Sequence, residues 1–177
     1  MSDSIVAYRY AKSLVDLATE RGVVEEVSND MAFFKKVSDE NRQFMKVMGS
    51  PIVRHDTKLK ILKEVFESNV NPVTFSILKI LTKKNRESLI TSIADEFQKL
   101  YNQQKDIEVA TVTTVEPLTD AQRTEFKETV AKSTGKTVHL VENTDETLIG
   151  GYVLKVGDSQ IDTSIRRKLN DLKLSLN

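Results

Sequence analysis

The chain has 177 residues, 39% apolar and 29% charged, with 26 basic side chains against 26 acidic ones and no cysteine. Those values fit one medium domain or two small ones and exclude a disordered tail. They also exclude disulfides, thiolate zinc sites and thiol nucleophiles.

Three prolines and six glycines favour long regular elements. No window reaches the roughly 20 apolar residues of a membrane span, and the start, Met1-Ser-Asp-Ser, has neither a basic nor an apolar leader region. The expectation is a soluble protein of a reducing compartment.

From Ile5 to about Lys105 the apolar residues recur at three and four, the helical spacing. A first helix is predicted over residues 4–20, closed by Gly22 in a left-handed cap. A second follows over 23–37, with Val24, Val27, Met31 and Phe34 on one side. A short third over 40–48 carries Phe44, Val47 and Met48 and is stopped by Gly49-Ser50-Pro51. A fourth over 56–67 turns Leu59, Leu62, Val65 and Phe66 inward. Asn71-Pro72 opens a fifth, the proline fitting the first turn, where its missing N–H costs nothing. A sixth over 86–104 shows Leu89, Ile93, Phe97, Leu100 and Tyr101. Short links between six helices make a six-helix bundle over residues 1–105.

After Asp106 the period changes. Ile107 to Val115 is β-branched and reads as a strand. Thr119-Asp-Ala-Gln122 has capping-box spacing and starts a helix that Gly135 ends, with Phe126 and Val130 inward and Ala121 and the aliphatic stem of Lys127 nearby. Residues 137–141 form a second strand and 148–156 a third, containing Gly150-Gly151. Gly157-Asp158 is a turn, 159–161 a strand stub, and Asp162 or Ser164 is placed to cap a last helix ending near Leu176. The expected class is therefore α+β, the bundle followed by a small C-terminal α/β domain over 106–177 with its helices on one sheet face.

The two parts differ mildly in charge, 17 basic to 14 acidic groups before residue 106 and 9 to 12 from residue 106 onward. Neither offers the concentrated basic face that nucleic acid requires. Catalytic candidates fare no better. Gly150-Gly151 lies in no dinucleotide or phosphate-loop motif and reads as close backbone approach or a bulge. His55 and His139 are too few for a histidine metal site, and His139 points to the polar side of its strand. Asp158 and Asp162 lack further oxygen ligands at calcium-loop spacing and suit turn formation and capping. A spatial site joining Ser164, His139 and an aspartate is the enzyme alternative. No catalytic residue, cofactor or metal is expected.

Surfaces for a partner are better supported. The apolar residues of the first helix, Ile5 through Ala18, cover more than half its circumference, and those of the fifth, Phe75, Ile77, Leu78, Ile80 and Leu81, are also too widely spread for one contact. Either both helices are central in the bundle, or they flank a groove for a partner's amphipathic helix. A stand-alone helical adaptor is one protein of the second kind.

The segment Ala7-Tyr-Arg-Tyr-Ala-Lys-Ser-Leu14 with Leu17-Ala18, the Ser50-Pro51-Ile52 turn into Lys58–Phe66, and the run Leu148-Ile-Gly-Gly-Tyr-Val-Leu-Lys-Val-Gly-Asp158 with Asp162-Thr-Ser-Ile165 and residues 169–176 together resemble the delta subunit family of the bacterial F-type ATP synthase, relatives of the mitochondrial oligomycin-sensitivity-conferring protein. The resemblance implies a non-catalytic stator subunit at the cytoplasmic face of the membrane. It implies that Tyr8, Ala11, Leu14, Val15 and Ala18 with Phe75, Leu78 and Leu81 line grooves for N-terminal helices of the alpha subunits. It also implies that the second domain meets the b subunits of the peripheral stalk, with Gly150, Gly151, Gly157, Asp158, Asp162 and Ser164 as structural support. On that reading, Leu14→Asp or Leu78→Asp uncouples proton flow from ATP formation. Tyr8 stands where many relatives have a small residue or arginine. Asn85-Arg86 stands where Gly-Arg is common, a mild change if position 85 is left-handed.

Overall fold

The computed structural model describes residues 3–175. The chain divides into two compact units, one running to Tyr101 and the other beginning at Asn102. Helices and a four-stranded sheet place it in the α+β class.

The first unit holds α1 (Asp3–Glu20), α2 (Val24–Glu40), α3 (Arg42–Gly49), α4 (His55–Phe66), α5 (Pro72–Lys83) and the start of α6 (Ile90–Gln104). Local chemistry sets the boundaries. Gly22 takes φ +69° after α1, and Asn71 accepts from the Val73 N–H at 2.9 Å with Pro72 opening α5. Asn41 caps α3 by accepting from Phe44 N–H at 3.1 Å. A bundle of six α-helices alone does not describe the unit, because the predicted sixth helix opens as a separate 3-10 turn, Glu87–Leu89. Asn85, at φ +52°, adopts the left-handed backbone that asparagine tolerates, and the chain cannot run straight into α6 from there.

The core of this unit forms around Phe34, Phe66, Leu62, Leu78, Leu81, Ile93 and Phe97. Phe34 and Phe66 lie 5.1 Å apart between ring centroids, and Phe44 sits 6.0 Å from each. Such pairs add about 0.5–1.5 kcal/mol each beyond area burial. α5 is the central helix, packed against α1, α2, α4 and the 87–89 turn. That explains its broad apolar circumference, of which Ile80 remains exposed.

Three buried charges escape the helical pattern. Asp30 of α2 accepts from Asn71 N–H at 2.7 Å and from the Thr74 hydroxyl at 2.6 Å. It thereby satisfies the first turn of α5 and meets the positive end of that helix's dipole. Lys58 of α4 and Glu87 of the 3-10 turn form an ion pair at 3.4 Å, both nearly inaccessible.

The second unit contains β1 (Ile107–Thr114), α7 (Asp120–Thr134), β2 (Thr137–Thr144), a 3-10 turn at Glu146–Leu148, β3 (Tyr152–Val156), β4 (Ser159–Asp162) and α8 (Ile165–Ser175). The sheet order is β2-β1-β3-β4, with β1 parallel to β2 and antiparallel to β3, and β3 antiparallel to β4. The reciprocal Thr119–Gln122 capping box opens α7, and Gly135 at φ +71° closes it. Phe126 and Val130 of α7 join Ala110, Val112 and Leu154 in the core, with Phe126 edge-on to Tyr152 at 4.9 Å.

Two expectations need correction here. The third strand starts at Tyr152, not Leu148, because Ile149 and Gly151 take φ +66° and +78°, which no extended strand accommodates. The helices do not share one sheet face: α7 packs on β2, whereas α8 packs against the 146–148 turn and exposes its residues through Leu174.

Candidate functional site

At 100° per residue, α1 turns Ala7, Ala11, Leu14, Val15 and Ala18 into the core. Seven of the eight residues expected from the sequence to line a groove, Ala11, Leu14, Val15, Ala18, Phe75, Leu78 and Leu81, are enclosed in the helical unit. Their surface is already spent on neighbouring helices. They frame the unit's interior, and any groove beside α1 must be lined by other side chains. Tyr8 keeps 43% of its surface, but it stands about 200° around the helix from Tyr10 and so on the opposite flank.

The open groove is on the Tyr10 flank. A cavity of about 620 Å³ lies between α1 and the connection from α5 to α6. Half-buried Val6, Tyr10 and Leu89 give it an apolar base, and exposed Asp3, Arg9, Ser13, Asn85, Arg86 and Ser88 give it a polar border. Arg86 donates from Nη1 to the Tyr10 hydroxyl at 3.1 Å, and its guanidinium carbon lies 5.9 Å from the Tyr10 ring centroid. Asn85 sets this geometry: its left-handed turn lets Arg86 N–H bond Leu81 carbonyl at 2.9 Å and sends the Arg86 side chain back toward α1. The sequence signal for this flank was Val6 and Tyr10 spaced by four with Ser13 following at three, next to the recognised Asn85-Arg86 pair.

The residues of the carboxy-terminal motif lie in close backbone approaches, a turn and a helix cap. A Cβ on Gly150 would lie 2.6 Å from Cδ1 of Ile165, and one on Gly151 would lie 2.5 Å from the Thr163 carbonyl oxygen. The two glycines let the chain pass against the β4–α8 connection, where Ile165 N–H bonds the Gly150 carbonyl at 3.0 Å and Thr163 N–H bonds that of Tyr152 at 2.9 Å. Gly157 and Asp158 form the β3–β4 turn, Gly157 at φ +55°. Ser164 is fully buried and caps α8, accepting from Arg167 N–H at 3.2 Å, while its own N–H donates to Asp162 at 2.9 Å. His139 is exposed on β2, at the opposite sheet edge from β4, so Ser164 and His139 are not brought together.

Hydrogen bonds from Ser164, hydroxyl first and N–H second, hold the Asp162 carboxyl below its ordinary value of 3.8. A carboxyl depressed on folding lends stability that is complete above its unfolded value and is lost as pH falls through the folded one. Thermal melting of the full chain is therefore expected to drop below about pH 4. Asp162→Asn should flatten that acid limb, and identical limbs in the two proteins would remove Asp162 as its source.

Among the described residues there is no group of three or more metal-binding side chains and no helix long and apolar enough to cross a membrane. A helical unit with a grooved first helix, joined to a small sheet unit, marks a binding scaffold. The family described as ATP synthase delta (OSCP) subunit matches residues 6–176. An ATP synthase subunit delta of Cytophaga hutchinsonii is 46% identical over 173 residues, 98% of this chain and 94% of that one. Another, of Amoebophilus asiaticus, is 39% identical over 95% of this chain and 92% of its own. A chain of the Toxoplasma gondii mitochondrial ATP synthase hexamer shares the fold, with a TM-score of 0.78 over 96% of each chain at 23% identity. The chain belongs to the ATP synthase delta (OSCP) subunit family. It is a structural component of the peripheral stalk of an F-type ATP synthase and not itself catalytic.

Proposed function

We propose that this subunit is the clamp that holds the catalytic head to the peripheral stalk at the cytoplasmic face of a bacterial membrane. The helical unit, to about residue 105, takes an N-terminal helix of an alpha subunit along the groove beside α1. The unit from 106 onward meets the b subunits, using the stripe of Ile165, Leu169 and Leu172 that α8 turns to its outside. Rotary catalysis puts torque on the head, and a stator must resist it through contacts that outlast a turnover. Desolvated apolar contacts with slow dissociation meet that demand.

The observation that carries the reading is the groove itself, an apolar base of Val6, Tyr10 and Leu89 bordered by Arg9 and Arg86. Its mixed apolar and polar lining suits one face of an amphipathic helix. Tyr and Arg at the centre of an interface are frequent hot spots, worth about 2 kcal/mol or more on truncation. Tyr10→Ala and Arg86→Ala are each expected to weaken binding of the full chain to the purified head roughly tenfold or more. Melting should stay close to the parent's, since both side chains are partly or wholly exposed. In membranes the same variants should lose ATP synthesis while the detached head keeps hydrolysing ATP. Head binding at parental strength in both variants would refute the groove assignment.

A further inference from the structure

We infer that the buried Lys58–Glu87 ion pair positions one wall of the groove, holding the 87–89 turn so that Arg86 and Leu89 face α1. The inference rests on the groove being the partner site and adds to it two residues that do not line it.

Four of the five consecutive residues from Asn85 to Leu89 line the groove, and the fifth, Glu87, turns the other way and is 2% exposed. Its Oε1 lies 3.4 Å from Nζ of Lys58, which is 4% exposed in α4. That oxygen has no hydrogen-bond partner, so the Lys58 ammonium is what compensates its charge. Two charges taken from water are a poor device for stability alone, because apolar side chains of the same volume commonly serve as well or better. A charge pair does impose direction. Backbone bonds close the turn, Arg86 N–H to the Leu81 carbonyl at 2.9 Å, Leu89 N–H to the Arg86 carbonyl at 3.1 Å and Ile90 N–H to the Glu87 carbonyl, and Glu87 is the one side chain from 85 to 89 that is fully buried. Anchored inward by Glu87, the turn projects Arg86 outward to Tyr10.

The test uses the full chain carrying K58M/E87Q, which removes both charges with little change in volume. Melting is expected within a few degrees of the parent. The Tyr10 ring resonances should shift, and affinity for a synthetic peptide of the alpha-subunit N-terminal helix should fall at least tenfold. The charge-reversed pair K58E/E87K should recover both readouts. If K58M/E87Q melts far below the parent, Glu87→Asp, which keeps the charge and shortens its reach, is measured in its place. Unmoved Tyr10 resonances together with parental peptide affinity in a folded variant overturn the inference. A parent chain with no affinity for the peptide refutes the partner-groove reading instead, and the Tyr10 resonances then decide the positioning role alone.

Discussion

Gly151→Ala is expected to lower the stability of the sheet unit by about 3 kcal/mol, seen as a fall in its thermal midpoint on the order of 15 °C. Two costs combine. Gly151 sits at φ +78°, a region that charges an L-residue about 1–2 kcal/mol. The new Cβ would also approach the Thr163 carbonyl oxygen at 2.5 Å and Cα of Ser164 at 3.1 Å. Both are backbone atoms, so no rotamer change relieves the clash. The shift must disturb the Thr163 N–H to Tyr152 bond that ends the β3–β4 ladder. Gly135→Ala is the matched control, because its φ is +71° and nothing lies within 4 Å of the added carbon. It should cost only about 1 kcal/mol. Equal losses at the two positions would show that the close approach contributes nothing.

Leu78→Asp is expected to unfold the helical unit, with a loss of about 4 kcal/mol or more. Leu78 is 1% exposed in the central helix, and aspartate there both empties apolar volume and brings a charge into the apolar core. Head binding and coupling would be lost, but through unfolding, so circular dichroism should report the loss along with the binding assay. That separates it from Tyr10→Ala, which should remove binding from a folded chain. A folded Leu78→Asp protein that has lost head binding would instead place Leu78 at the partner surface.

The parts of the fold visible in the sequence are those written in local chemistry. Gly22, Asn71-Pro72, the Thr119–Gln122 box and Gly135 each mark a helix end through backbone geometry or a nearby hydrogen bond, and each performs that role. The class, the order of elements and the family signature were legible for the same reason. Asp30, Lys58 and Glu87 were not, because a helical pattern assigns charged residues to solvent and only tertiary partners make their burial tolerable. The apolar letters of Leu148-Ile149 read as strand, while the positive φ of Ile149 depends on packing of the distant β4–α8 connection. The groove showed the same limit. An over-wide helix is visible in sequence, but which flank carries an open cavity depends on where the neighbouring turn falls, and here it is the Tyr10 flank and not that of Tyr8.

The order of the sheet has a bearing on the subunit before it is assembled. An outermost strand offers unpaired amides to any extended chain it meets, an invitation to fibril growth. β4 presents four residues, too short a template to seed much, but β2 presents eight. Polar groups stand along the longer rim: Glu142 is held by Arg123 of α7 at 2.5 and 3.1 Å, and His139 and Asn143 are also exposed. A newly made copy waiting for its complex thus carries its own deterrent to stacking with its siblings.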